Sequence, residues 1–523
     1  MCKKFELGGI KVHYVHMIRG IKMAGVKIVL LAVIATVLAM NNPLNAANSQ
    51  VVAGVDTSKW RGFNLLEKFT LGRNSPFRED DFKWISELGF NFVRLPMDYR
   101  CYTEKDDWSK FRESALKEID EAIEFGKRYH IHVCINLHRA PGYCINPPEE
   151  PTNLWTDEKT QETFAAHWAM FARRYKGIPS EQLSFNLLNE PARSSKEQYL
   201  RVFRRAISAI HEIDPNRLVM VDGMNVGKDP VPEFVPLPNV MQACRGYAPG
   251  RISHYKASWV KGSDQWPEPT WPLVNVNGML FGTSKPEFKS PLVIEGDLKA
   301  GTSIAIKIHS LSVKAVLEAK ADGKALAVKV CDPKADPASW KVIPTEQRYT
   351  FHEPAKPTEF KVTLPENART FSLENTNGDW LKFSAIVIQQ PGGKTLTFAA
   401  DPSWGKKQET WKLTNEGLLL PTKGNPEAVL DDYLKPWLDI SRQGETVFVG
   451  EWGSFSKTPH PVVLAWMRAW LERWKQAGFG WALWNFRGSF GILDSGRADV
   501  EYEDWRGHKL DRKMLNLLQE YAK

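Results

Sequence analysis

The chain is 523 residues long, with 43% hydrophobic, 25% charged and 11% aromatic residues. That composition excludes a disordered, collagen-like or multi-span membrane protein, and the length allows about two or three domains, each able to bury a core without covalent staples. The formal net charge is +8, but residues 1–47 hold six Lys or Arg against the single acid Glu6, and no basic run follows them. Nucleic acid is therefore not an expected partner.

The first element is a targeting signal. Directly after Lys27, the thirteen residues Ile28–Met40 are apolar except for Thr36. That is too short to span a bilayer and fits the apolar core of a signal peptide, and Asn45-Ala46-Ala47 offers a small-residue cleavage site. Met23 gives a compact basic start and is the expected initiator. Residues 1–47 are thus read as a signal peptide and the mature protein as secreted or periplasmic, with no stable membrane span. Five cysteines follow (Cys101, Cys134, Cys144, Cys244 and Cys331), an odd number that does not suit a disulfide-stapled scaffold. A pairing of Cys101 with Cys144 is left open. The run from Cys134 through His138 to Cys144 matches no zinc spacing, so neither metal nor cofactor is expected.

Short apolar runs then alternate with amphipathic helical patterns. The expected strands are Gly54–Phe63, Phe90–Pro96, Val133–His138, Leu183–Glu190, Leu218–Asp222, Val240–Tyr247, Val447–Trp452 and Gly480–Phe486. Helical spacing is clearest at Ala115, Ile119, Ala122 and Ile123, and at Val463, Trp466, Met467, Trp470 and Trp474, the latter closed by Gly478. Eight such units predict a closed (β/α)8 barrel, an α/β fold. Between the sixth and seventh strands the period changes to two, as in Ile304-Ala305-Ile306-Lys307-Ile308, Leu326–Val330 and Phe360–Leu364. Residues 284–412 are read as an inserted antiparallel β-sandwich, which leaves 48–283 and 413–523 for the barrel.

Catalytic groups of such barrels stand at the C-terminal ends of the strands. Those ends are Arg94, His138, Asn189-Glu190-Pro191, Tyr247, Glu451-Trp452 and Trp484. Glu190 and Glu451 close apolar runs four and seven, where a charge is unexpected unless it works. A facing carboxyl pair is what glycosidic bond cleavage needs: a nucleophile and an acid that later acts as base. The 20 Trp residues would suit flat, amphipathic ligands such as sugar rings.

Five ordered motifs, Phe92–Pro96, Leu137-His138, Leu188–Pro191, Gly450–Gly453 and Trp481–Trp484, resemble glycoside hydrolase family five, the cellulase family. The resemblance implies that Glu190 is the acid/base and Glu451 the nucleophile. It implies that Asn189 holds the sugar's 2-hydroxyl, that Arg94 and Tyr247 support the nucleophile, and that His138 and Trp484 line the subsite of the attacked sugar. Glu190 must be protonated near neutral pH, which an apolar setting would provide, and Glu451 must stay ionised.

One position departs from the family. Where the sixth strand ends in His-x-Tyr, this chain has Arg245-Gly246-Tyr247, and His254 follows nine residues after Arg245. Trp259, Trp266 and Trp271, in a Pro-rich loop after strand six, are read either as sugar platforms or as glue between barrel and insert. Trp340, Trp380, Trp404 and Trp411 of the insert are read either as an extended binding surface, resembling a carbohydrate-binding module, or as packing. The expected function is an exported retaining hydrolase of β-linked glucan, cellulase- or endoglucanase-like. The alternatives are β-1,3-glucanase or β-mannanase specificity, or a non-catalytic polysaccharide-binding protein. The expected partner is a β-glucan polysaccharide or oligosaccharide, and the expected state a monomer.

Overall fold

The computed structural model describes residues 51–522, apart from 106, 274–275 and 346–349, together with the backbone of a hairpin, Glu6–Leu7 with Ile10–Lys11. The expected leader core Ile28–Met40, its cleavage site and Met23 lie outside the described residues. Among those described, no helix is long and apolar enough to cross a membrane.

Eight strands close the barrel. They are β1 (Arg61–Asn64), β2 (Phe92–Asp98), β3 (His132–Ala140), β4 (Leu183–Asn186), β5 (Val219–Asp222), β6 (Val240–Gly246), β7 (Val447–Trp452) and β8 (Gly480–Leu483). Each pairs in parallel with the next, and β8 returns to β1. The (β/α)8 fold follows from near-continuous apolar strands buried on both faces, which only a ring of helices can cover.

The helices are α1 (Glu79–Glu87), α2 (Glu113–Tyr129), α3 (Glu158–Arg174), α4 (Lys196–His211), α5 (Ala428–Ser441), α6 (His460–Ala477) and α7 (Arg512–Glu520). Only short helical turns, at Met224–Gly227 and Pro232–Phe234, stand between β5 and β6. The α2 stripe is buried at Ala115, Leu116, Ile119, Ala122, Ile123 and Gly126, the face its sequence spacing implies. Gly478, at φ 72°, ends α6 in the left-handed conformation that glycine adopts without steric cost.

The expected first strand, Gly54–Phe63, is corrected. Its first half is a separate hairpin, Val51–Val52 with Val55–Asp56, turned at Ala53 and Gly54 with positive φ, and only Arg61–Asn64 joins the barrel. The use of tryptophan is corrected too. Trp168, Trp437, Trp452, Trp466, Trp470, Trp474 and Trp481 are fully buried in the barrel, so the Trp count reports mainly packing. On α6, Trp470 and Trp474 stack at 5.0 Å, and Trp474 meets Trp452 edge-on at 4.8 Å.

Two antiparallel-rich sheets lie between β6 and β7. One is built on Ser303–Leu311, Trp380–Gln389 and Thr395–Asp401, the other on Leu292–Leu298, Ala315–Ala321 and Ala368–Gly378. Ile304, Ile306, Leu317, Phe371, Leu373, Ile386 and Ile388 belong to their common core. Their strands run from Val276 to Pro421, beyond the expected limits of 284 and 412: Met279–Phe281 is a short strand whose partner, at Trp380–Lys382, is distant in sequence, and Leu419–Pro421 is a short edge strand in a hairpin with Thr410–Leu413. Val328 and Val330 are exposed on an edge strand, although their alternation resembles that of a core strand. Arg251, on the loop after β6, is paired with Asp401 at 2.7 Å and ties this β region to the barrel.

Candidate active site

Arg94 of β2 is wholly buried and spends its guanidinium on four groups at the barrel mouth. Nη1 donates to Glu451 Oε1 at 2.6 Å and to Asn64 Oδ1 at 2.9 Å, Nε to Asn186 Oδ1 at 2.8 Å and Nη2 to Asn189 Oδ1 at 2.8 Å. These charge-assisted bonds fix Glu451 in one orientation. The strand itself aims the carboxylate, because β6 and β7 are out of step by one residue at Gly450, placing Glu451 opposite Arg245. A Cβ at residue 450 would come within 3.0 Å of the Arg245 guanidinium, so glycine belongs there. The Tyr247 hydroxyl donates to Glu451 Oε2 at 3.3 Å.

Tyr247 is braced from behind. The indole N–H groups of Trp466 and Trp470 both donate to the Ala248 carbonyl at 3.0 Å, and Ser253 Oγ donates to the Tyr247 carbonyl at 2.6 Å. The Trp spacing of α6 thus positions a loop of the site as well as filling the core.

Glu190 lies four residues past the end of β4, at φ 48°, a strained conformation for a residue with a side chain. Its N–H donates to Asp222 Oδ2 at 2.9 Å and its carbonyl accepts from Tyr143 Oη at 2.6 Å, which together hold that backbone. Burial, with the Glu451 charge second, pushes its carboxyl up to about 7.

Arg245 points inward, only 3% exposed. It pairs tightly with Asp222, Nε donates to Glu190 Oε1 at 3.1 Å, Nη2 donates to Asn189 Oδ1 at 2.8 Å, and Nη2 lies 3.6 Å from Glu451 Oε1. Two buried guanidiniums thus face three carboxyls, and a proton on one carboxyl balances the set. His254 does not stand in for the missing family histidine. It packs edge-on against Tyr247 at 5.2 Å, bonds Ser253 Oγ through Nδ1 at 2.7 Å, and is held neutral by burial, with its pKa lowered to about 4.

The remaining predicted residues divide. His138, Trp484 and Phe69 form a triangle of rings, with centroids 5.7 Å apart for His138 and Trp484 and 4.4 and 5.4 Å from each to Phe69, and His138 and Phe69 line a cavity of about 190 Å3. Burial first, then Arg94, Arg245 and Arg139, holds His138 neutral. Its Nε2 faces the Asn146 amide at 3.3 Å, and its Nδ1 is buried without a partner. Trp259 is 58% exposed and leans on Phe455 at 4.8 Å, while Trp266 is half-buried. Trp271 is corrected as a candidate platform, because it is buried in the barrel core cluster and its indole N–H donates to Glu427 at 3.2 Å. Cys101 and Cys144 are not joined, and all five described cysteines are buried free thiols. Among the described residues no cluster of three or more His, Cys, Asp or Glu is placed to hold a metal.

Sequence reasoning missed Asp222, Asn64, Asn186, Phe69 and Tyr143. Asp222 carried a usable signal, a charge closing the apolar run of strand five. A second cavity, about 330 Å3, opens beside Asn64 and Asn485 and contains Glu67, whose carboxyl burial pushes up to about 7.

Paired carboxyls at the ends of the fourth and seventh strands of a closed parallel barrel define a glycoside hydrolase architecture. Residues 44–272 match the family described as Cellulase (glycosyl hydrolase family 5). Endoglucanase C of Acetivibrio thermocellus is 30% identical over 211 residues, 40% of this chain and 60% of its own length. Cellodextrinase A of Ruminococcus flavefaciens is 26% identical, over 35% of this chain and 54% of its own. The chain thus spans about 60% or less of these curated relatives. Among solved structures, a glycoside hydrolase matches with a TM-score of 0.57 at 27% identity, covering 88% of this chain and 99% of that one. An endoglucanase of Thermotoga maritima shares the fold, with a TM-score of 0.50 at 15% identity, covering 88% and 97% of the two chains.

Proposed function

We propose that the chain is an exported, retaining hydrolase of β-linked glucan, working by double displacement with Glu451 as nucleophile and Glu190 as acid/base. The observation that carries this reading is the shared environment of the two carboxyls. One guanidinium, Arg245, reaches both, yet Glu451 is bound by Arg94 while Glu190 is pushed up to about 7 by burial and its neighbour. A carboxyl raised by burial suits the acid, and a carboxylate held by a buried guanidinium suits the nucleophile.

Glu451 Oε1 is tied to Arg94, so Oε2, which among the described residues accepts from Tyr247 at 3.3 Å, is the freer oxygen to attack the anomeric carbon. Glu190 gives its proton to the departing glycosidic oxygen. It then takes one from the water that cleaves the glycosyl ester, releasing the sugar with its original configuration.

Asn189 supports the same reading. Both arginines donate to its Oδ1, which fixes the amide's orientation and leaves Nδ2 buried without a partner. That N–H is available to a substrate hydroxyl, as the 2-hydroxyl role requires. His138 and Trp484 would flank the same ring.

Reducing ends released from carboxymethylcellulose, barley glucan, laminarin and mannan, measured side by side, test the activity and its linkage together. Release from the β-1,4-linked glucans first is expected. Preference for laminarin or mannan would move the specificity to the alternatives, and release from none would leave a binding protein.

A further inference from the structure

In the β region, Trp404 behaves unlike its neighbours. Trp380 and Trp411 are 8% and 4% exposed and serve as packing, whereas Trp404 is 57% exposed. Its ring is nevertheless held, edge-on against Phe281 at 5.3 Å and against Trp380 at 6.2 Å, both buried. Phe288 packs behind Phe281 at 5.4 Å. A large indole propped on a rigid aromatic base with much of its surface in water is poorly explained by packing, which would cover it.

The ring borders a cavity of about 420 Å3, within the range that accepts a small ligand, lined by Lys285, Phe351, Asp379, Trp380, Lys382 and Trp404. Its polar groups converge. Asp379 Oδ2 accepts from Ser312 Oγ at 2.7 Å, while Asp379 Oδ1 is buried without a partner. The Lys382 ammonium lies 5.3 Å from the centre of the Trp380 ring. An aromatic face beside a carboxylate and ammonium groups matches a hexopyranose, which presents an apolar face of C–H groups and a rim of hydroxyls that both donate and accept. The chain also links this cavity to the barrel. Trp404 stands three residues after Asp401, whose partner Arg251 stands four residues after Tyr247.

We propose that the Trp404 cavity is a second glycan-binding site, outside the catalytic barrel, that holds the polymer whose bonds the barrel cleaves. The proposal rests on the reading of the barrel as a β-glucan hydrolase. The test uses the full chain carrying Glu451→Gln, so that polymer is not consumed, run in native gels containing barley glucan, hydroxyethylcellulose or mannan. Retardation is expected in at least one gel. Adding Trp404→Ala should weaken the apparent affinity about tenfold, and Trp404→Tyr, which keeps a stacking ring, should restore most of it. Lys382→Ala, at a half-buried position, should weaken it in the same direction. In the otherwise unaltered chain, Trp404→Ala should leave kcat/KM on a soluble aryl cellobioside unchanged. Equal retardation with and without Trp404, no retardation in any gel, or a parallel loss on the aryl cellobioside would overturn the proposal. A chain that releases no sugar from any polymer but still loses retardation with Trp404→Ala would contradict the hydrolase reading and leave the second site standing.

Discussion

The Arg245 guanidinium lies between Glu190 and Glu451, with Nε 3.1 Å from the first carboxyl and Nη2 3.6 Å from the second. It stands where the resemblance leads one to expect a histidine, and, unlike a histidine, it cannot give up its proton near neutral pH. Its strongest partner is Asp222, so the substitution brings its own counter-charge.

Removing that cation has a defined sign. Arg245 opposes the burial that raises Glu190, so Arg245→Met should raise the Glu190 carboxyl further and move the basic limb of the kcat/KM profile up by about one unit. Asp222 would keep the Glu190 N–H and the Asn186 amide but lose its buried counter-charge, at a cost of about 3–5 kcal/mol in stability. A profile from pH 5 to 9 with an unchanged basic limb would show that Glu190 is not the titrating acid.

The two carboxyls should fail differently. Glu451→Ala should remove turnover of every substrate, by at least about 10^4-fold. Glu190→Ala should lose about 10^2- to 10^4-fold on polymer and far less on an aryl glycoside whose leaving group needs no proton. Rates on barley glucan and on a dinitrophenyl cellobioside, measured for both variants, separate the roles. Equal losses of the Glu190 variant on both substrates would contradict the assignment.

Asn189 Nδ2 supplies a third check. Asn189→Ala should cost about 10^2- to 10^3-fold in kcat on an ordinary aryl glucoside, by loss of a donor to the reacting sugar. The same variant should lose little on the 2-deoxy analogue, which has no 2-hydroxyl to bind. A loss of the same size on both sugars would assign Asn189 to holding the arginines.

Glu67 gives a stability prediction away from the chemistry. Burial raises its carboxyl from 4.5 to about 7, and its Oε2 is buried without a partner. A raised carboxyl favours the fold while protonated. Its contribution is therefore complete below pH 4.5 and lost as the pH climbs through 7. Glu67→Gln should match the parent in unfolding free energy at pH 4.5 and exceed it at pH 8 by about 1–3 kcal/mol, with Tm moving in the same direction. A difference that does not grow with pH would mean that the Glu67 carboxyl is not the group responsible.

The barrel was legible because its strands are continuous apolar runs and its charged residues close them. Val447–Trp452 has the same bounds in sequence and structure, and Glu451 stands out within it as a charge in an apolar run. Asp222 closes its run in the same way, but its partners Arg245 and Glu190 meet it only once the barrel has closed. Asn64 and Asn186 were hidden for a related reason, since polar residues inside β1 and β4 acquire meaning only from the Arg94 side chain that reaches them. Trp271 and Trp404 show the limit for aromatics. Both lie in loops between regular elements, yet one fills the core and the other faces water, which depends on packing partners far along the chain. The short strands Val276–Asn277 and Met279–Phe281 of the β region are set by pairing with strands more than 95 residues away and carry no local mark.

The most direct test of the central claim is to trap the glycosyl–enzyme intermediate. The fluorine of a 2-deoxy-2-fluoro cellobioside slows both displacements, and an activated leaving group restores the first alone, so the covalent ester should accumulate. Intact-mass measurement should show the gain of one fluorocellobiosyl group, and peptide mapping should place it on Glu451. An unlabelled protein that turns over the parent cellobioside, or a label on any other carboxylate, would contradict the account.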